Sequence, residues 1–145
     1  MDEGGDPACW AHLNDEPIEV PSQQALARLL IDLSDAVVIC DADRRITFWN
    51  SAAERLFGWE ANRVMGDSVD IIIPEQLRNR HRDQFFAEIR GEDQSIGRSI
   101  VHTSGLHRDG SCIPLEISLS ALRSDRALRP LGIAAVIRLS NEERS

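Results

Sequence analysis

The sequence has no tyrosine, only three cysteines, and a single excess of charge, which is acidic. The cysteines, Cys9, Cys40 and Cys112, are odd in number and far apart, with no CxxC among them. That excludes a disulfide framework and fits reduced thiols. No apolar run approaches the ~20 residues of a membrane-spanning helix. The acidic N-terminus lacks the basic-then-apolar order of a signal peptide. The expectation is a soluble, cytoplasmic protein with no membrane partner. A net charge of −8 argues against nucleic acid, whose phosphates call for basic patches. There is no GxSxG, P-loop or Rossmann fingerprint, no histidine–carboxylate spacing for zinc, and no internal repeat. The chain is therefore not expected to be an enzyme.

What is present is one domain's worth of sequence: 145 residues, 42% of them hydrophobic. Residues 1–21 carry Asp2, Glu3, Asp6, Asp15, Glu16 and Glu19 with no Lys or Arg, and read as an acidic disordered tail that holds Trp10 and a solvated His12. An amphipathic helix is expected over 22–34. Ser22 is its N-cap, and Ala25, Leu26, Leu29, Leu30 and Leu33 form its apolar stripe. The folded domain is expected over 35–139, with a short tail over 140–145.

Within that domain, 36–40 is a short apolar, partly β-branched run and 45–49 alternates, so both read as strands joined by the Asp41–Arg44 turn. Asn50-Ser51 caps a short helix ended by Gly58, and a second short helix ends at Gly66. Pro74 opens a long helix that stops at Gly91. Three strands are expected over 96–104, 111–122 and 131–139, with Asp109-Gly110 as the hairpin turn between the first two. In the middle one Ile113, Leu115, Ile117, Leu119 and Ala121 alternate with polar residues, and Pro114 places its end of the strand at an edge or bulge. Two strands, a helical middle and three strands give an α+β fold: a five-stranded antiparallel sheet with helices on one face.

The most informative residue is His81. Along the long helix Leu77, His81, Phe85 and Ile89 recur every four residues, so an imidazole sits in a stripe that faces the core. A histidine there is hydrogen-bonded, titrating or ligating. His102 and His107 read as surface residues, Cys40 as core, and Trp49 and Trp59 as packing at the corner between sheet and helices. The Arg78, Arg80, Arg82 run reads either as a solvated face or as a match for carboxylates.

The segment Ile46-Thr47-Phe48-Trp49-Asn50-Ser51-Ala52-Ala53-Glu54-Arg55-Leu56-Phe57-Gly58-Trp59, with Met65-Gly66, His107-Arg108-Asp109-Gly110 and Gly132-Ile133, resembles the PAS domain family over roughly residues 30–139. The resemblance implies the PAS fold, a sensory role and no catalysis. Pro74, Arg80 and His81, followed by Ile96-Gly97-Arg98, are similar to the haem-binding oxygen-sensor PAS domains of FixL-type kinases. Arg82 and Ala87 stand where that subfamily carries an acidic and a basic residue, and the interval from His81 to Arg98 is shorter.

The resemblance implies haem b held by His81 as the proximal ligand, with Arg98, Ile117 and Leu119 on the distal side. Leu77, Phe85, Ile100 and Ile133 complete the pocket, and the ligand sensed is a diatomic gas (O2, CO or NO) or a change in redox state. No cysteine lies in the helical middle, so cysteinyl–flavin photochemistry is set aside, while noncovalent FAD or FMN stays open. The alternative is a haem-free PAS interaction module that holds another apolar ligand or none. Either form is expected to be a homodimer through the sheet and the helix running from Ser22 to Leu33, and to signal to a protein partner or an effector domain.

Overall fold

The computed structural model describes residues 18–91, 100–124, 126 and 129–141. Helix α1 (Gln23–Asp32) is followed by strands β1 (Ala36–Asp41) and β2 (Ile46–Trp49). Short helices α2 (Ser51–Phe57) and α3 (Ala61–Val64) and two 3-10 turns (Val69–Ile72 and Glu75–Leu77) lead into α4 (Arg78–Ile89). Strands β3 (Val101–Leu106), β4 (Cys112–Leu122) and β5 (Gly132–Leu139) complete the fold. The sheet order is β2-β1-β5-β4-β3, with every neighbouring pair antiparallel. This is the expected α+β architecture. The last strand in sequence lies at the centre of the sheet and the first two pack on one side of it.

Most of the expected elements form near their expected limits. The long helix starts four residues late: Pro74 precedes a 3-10 turn, and regular α geometry begins only at Arg78. The start of the strand expected over 96–104 falls partly in 92–99, outside the described residues, and the described strand runs on to Leu106. Pro114 does lie at a rim. Pairing of β4 with β5 stops at Leu115↔Leu139, and beyond it the Pro114 carbonyl accepts from Ser140 at 3.0 Å.

Asn50 shows how the sequence builds the corner between sheet and helices. Its Oδ1 accepts from Ala53 N, the expected cap, at 3.0 Å, and also from Val37 N at 2.9 Å. Its Nδ2 donates to Leu30 O at 2.8 Å and to Asp35 O at 3.1 Å. All four hydrogen-bonding positions of the carboxamide are thus filled, which permits its burial at 2% exposure. One residue ties α1, β1 and α2 together. Gly58 closes α2 at φ 82, where a side chain would be strained, and a Cβ there would lie 2.6 Å from the His107 ring.

The core lies between the sheet and the helical middle. Phe57, Ile46, Leu115 and Val64 are its most buried large side chains, and removing a phenylalanine of this kind from water contributes about 2–3 kcal/mol. Trp49 stacks at a tilt on Phe57, with centroids 5.6 Å apart, and its Nε1 donates to Trp59 O at 2.9 Å. Both tryptophans therefore sit at the corner, as expected. Helix α1 buries none of its residues, and Leu26 and Leu29 of its stripe remain exposed.

Candidate functional site

Helix α4 is laid across the inner face of the sheet, and a cavity of about 450 Å³ opens between them. Leu77, His81 and Phe85 of the expected stripe line one side. Ile117 and Leu119 of β4 and Ile133, Ala135 and Ile137 of β5 line the other. Val69, Ile72 and Ile73 close one end, with Val38 and Cys40 from β1. Gly105 brings β3 close: a Cβ there would stand 2.5 Å from the Leu115 side chain, itself part of the wall. The exposed members of the lining, Arg80 and Gln84 from α4 and Val101, His102 and Ser104 from β3, mark its mouth.

Of the residues that the sequence assigned to a pocket, Leu77, His81, Phe85, Ile117, Leu119 and Ile133 share this cavity. Ile100 does not line it. It precedes the first paired residue of β3, is 52% exposed, and the wall begins instead at Val101. Arg98 lies in 92–99, outside the described residues. His102, read as a surface residue, is exposed yet belongs to the cavity mouth. The arginine run divides. Arg78 Nε donates to Ile73 O at 2.9 Å, Arg80 reaches the mouth, and Arg82 faces Asp70 at 3.4 Å. It is not one solvated face.

Sequence reasoning missed Arg44 and Asp70. Arg44 was read as a turn residue, but it is 4% exposed and has φ 68. A left-handed conformation in a non-glycine residue costs roughly 1–2 kcal/mol. The turn is imposed by Asp41, whose Oδ1 accepts from both Asp43 N and Arg45 N at 2.9 Å, and by Val69 N, which donates to Arg44 O at 2.9 Å. The side chain then runs inward. Its Nη2 meets Asp70 Oδ1 at 2.6 Å and His81 Nδ1 at 2.9 Å, and its guanidinium lies 6.0 Å from the Phe85 ring centre. The Nε is buried without a partner among the described residues. A turn built without glycine was the available signal: some residue had to hold φ > 0 there, and the cost is offset by tertiary contacts.

Burial sets the charge states. Desolvation, helped by the Arg44 charge and opposed by Asp70, pushes His81 down from 6.5 to about 4, so it is neutral at pH 7. Burial raises Asp70, but the hydrogen bond and charge of Arg44, with Arg82 and Arg78 nearby, outweigh it and hold the carboxyl below the usual carboxylate range. Burial pushes Cys40 up to about 12, against the pull of Arg44, so the cavity carries a neutral thiol and not a nucleophile.

The cavity can therefore take a flat or elongated apolar ligand and offers it one neutral imidazole from within and polar groups at the mouth. The residues fit a haem in this respect: largely apolar walls, a neutral nitrogen base, and Arg80 at the mouth for an acidic edge, although the buried Glu88 also belongs to the lining. Among the described residues no cluster of three or more His, Cys, Asp or Glu could hold a metal ion on its own. No helix among them is long and apolar enough to cross a membrane.

The family description "PAS fold" matches residues 24–138. The chain is 33% identical over 103 residues to the sensor protein FixL of Bradyrhizobium diazoefficiens, covering 68% of this chain and 20% of that protein. It is 28% identical over 94 residues to the oxygen sensor protein DosP of Escherichia coli, covering 65% of this chain and 12% of that one. The chain thus spans a fifth or less of the length of these two relatives. Among solved structures, a PAS domain from Colwellia psychrerythraea matches with a TM-score of 0.68 at 19% identity, over 81% of this chain and 95% of that one. An RNA-binding light-oxygen-voltage receptor matches with a TM-score of 0.69 at 22% identity, over 86% of this chain and 36% of that one. Such domains are generally sensory modules rather than catalysts, and they commonly dimerise and signal to effectors. With sheet, helices and corner motif all in the places that this family gives them, the chain belongs to the PAS family.

Proposed function

We propose that this domain senses a diatomic gas, or the redox state of its iron, through haem b held by His81. The observation that carries the reading is the placement of a neutral imidazole among the apolar side chains of the cavity wall, in a lining that also includes the buried Glu88. The relatives named an oxygen sensor protein and FixL favour it. A haem iron held by a single imidazole keeps a further coordination position for a gas. His81 would supply that imidazole. Phe85 on α4 and Leu77 in the 3-10 turn before it line the same side of the cavity, and Ile117, Leu119 and Ile133 keep water from the sheet side. Arg80 at the mouth is placed for an acidic edge. Arg98 belongs to this reading through its Ile96-Gly97-Arg98 triplet alone.

The test is addition of hemin to the purified protein. A Soret band that is lost in His81→Ala supports the reading. No specific band in the wild type removes it and leaves the haem-free module, with an apolar ligand or flavin in the cavity. A band that survives the substitution moves the ligand to another residue, with His102 the next candidate at the mouth.

Signalling requires that a partner distinguish two states of the domain. The exposed Leu26 and Leu29 on α1, with Leu139 on β5, supply an apolar surface for a second copy. A Leu26→Glu/Leu29→Glu variant is then monomeric by mass in solution, and an unchanged dimer rules α1 out.

A further inference from the structure

We propose that Arg44 is a positioning residue that holds His81 in a form unable to ligate iron, and that ligation requires this hydrogen bond to be given up. The inference rests on the haem reading above. The guanidinium Nη2 stands 2.9 Å from Nδ1 of His81. A guanidinium has only donors, so Nδ1 is the acceptor. Neutral imidazole has one N–H and one lone pair. With the lone pair at Nδ1 committed, the ring proton is at Nε2, and neither nitrogen is free for a metal.

Ligation through Nε2 moves the ring proton to Nδ1. One N–H bond breaks, one forms, and the ring stays neutral. The new Nδ1–H needs an acceptor where Arg44 now presents a donor. Asp70 Oδ1, which the same Nη2 holds at 2.6 Å, is the acceptor assigned to it once the guanidinium withdraws. Two features show that Arg44 is held at a cost, so that a second arrangement is within reach: the buried Nε has no partner among the described residues, and the backbone sits at φ 68. The residue is also mechanically connected, since its carbonyl accepts from Val69 N beside Asp70 and it lies in the turn between β1 and β2. Filling the cavity is thereby coupled to that turn, which lies outside the cavity lining.

The experiment has two readouts. Long-range proton–nitrogen NMR on the protein without added hemin, with His81→Gln for assignment, reports the ring tautomer. The wild type is expected in the Nε2–H form, Arg44→Met loses that preference, and Arg44→Gln, whose amide keeps a donor, retains it. A wild-type ring with its proton at Nδ1, or a tautomer indifferent to Arg44→Met, overturns the proposal. Hemin titration followed by the Soret band is the second readout. Arg44→Met is expected to bind hemin at least about tenfold more tightly than wild type. Equal or weaker binding overturns the proposal. Hemin binding to neither protein overturns it together with the haem reading, and the tautomer signal then separates that failure from a failure of Arg44 to hold the ring. If Arg44→Met does not fold, the wild-type ring decides alone: a proton at Nε2 supports the proposal and a proton at Nδ1 overturns it.

Discussion

Asp70 anchors Arg44: its Oδ1 lies 2.6 Å from Nη2, in a pair whose side chains are 22% and 5% exposed respectively. The burial is unequal, and so is the cost of breaking the pair. Asp70→Asn leaves a guanidinium buried without a counter-charge, at a cost of about 3–5 kcal/mol. Arg44→Met leaves a carboxylate that retains Arg82 at 3.4 Å and some water, so its cost is smaller. Urea unfolding of the two variants checks the order, and a larger loss for Arg44→Met contradicts it.

Protein stability should fall on mild acidification. The folded-state pKa of His81 is about 4, against 6.5 for the ordinary group. Between these values the unfolded chain binds more protons than the folded one, so stability rises with pH. The His81 contribution is complete above about pH 6.5, is lost as pH falls towards 4, and amounts to roughly 3 kcal/mol. The depressed carboxyl of Asp70 acts in a lower window, with its contribution lost below 3.8. Urea midpoints at pH 7.5, 5.5 and 4.5 should therefore slope in the wild type and flatten in His81→Gln. The same slope in both proteins would place the titrating group elsewhere.

Asn50→Ala should be among the most damaging single changes. It strands Val37 N and Ala53 N and leaves the carbonyls of Leu30 and Asp35 without the donor seen here. At about 1–3 kcal/mol per buried group left unmade, and with partial relief by water, the loss is roughly 3–4 kcal/mol. Asn50→Asp keeps both acceptor bonds and loses both donors, so it falls between wild type and alanine. Thermal unfolding of the three proteins gives the ranking.

Cys40 should be chemically silent in the folded protein. Its thiol lies in the cavity wall with its pKa pushed up to about 12 by burial. A Cys9→Ser/Cys112→Ser protein, with Cys40 as its sole thiol, is expected to react with a disulfide reagent only at the rate of unfolding. The exposed Cys112, tested in the converse variant, reacts at once. Fast reaction of Cys40 would mean that the cavity opens to the reagent without unfolding.

Much of the fold was legible in local patterns. The alternation from Ile113 to Ala121 marked a strand with one wet face, and the four-residue recurrence of Leu77, His81 and Phe85 picked out three cavity residues, the first in the 3-10 turn and the other two on the helix after it. The Asn50 cap was legible too, but only its bond to Ala53, three residues on. Its other three partners lie 13 to 20 residues away, where no local rule reaches. Ile100 went astray for a similar reason: β-propensity shows that a strand is near, but the residue at which pairing starts is set by the partner, through Val101↔Ile117.

The sequence by itself determined the order of elements, the antiparallel α+β class and the turning of His81 towards the core. These follow from backbone periods of 3.6 and 2 residues and from the φ preferences of Gly, Pro and Asn, all of which act over a few positions. Only the tertiary structure decided what His81 meets there. Its Nδ1 partner, Arg44, comes from 37 residues away. That arginine is placed by a turn without glycine and by a carboxylate on a 3-10 segment between the two. Whether an imidazole is free or held depends on where separate elements converge, and that is a property of the packed molecule rather than of any stretch of its chain.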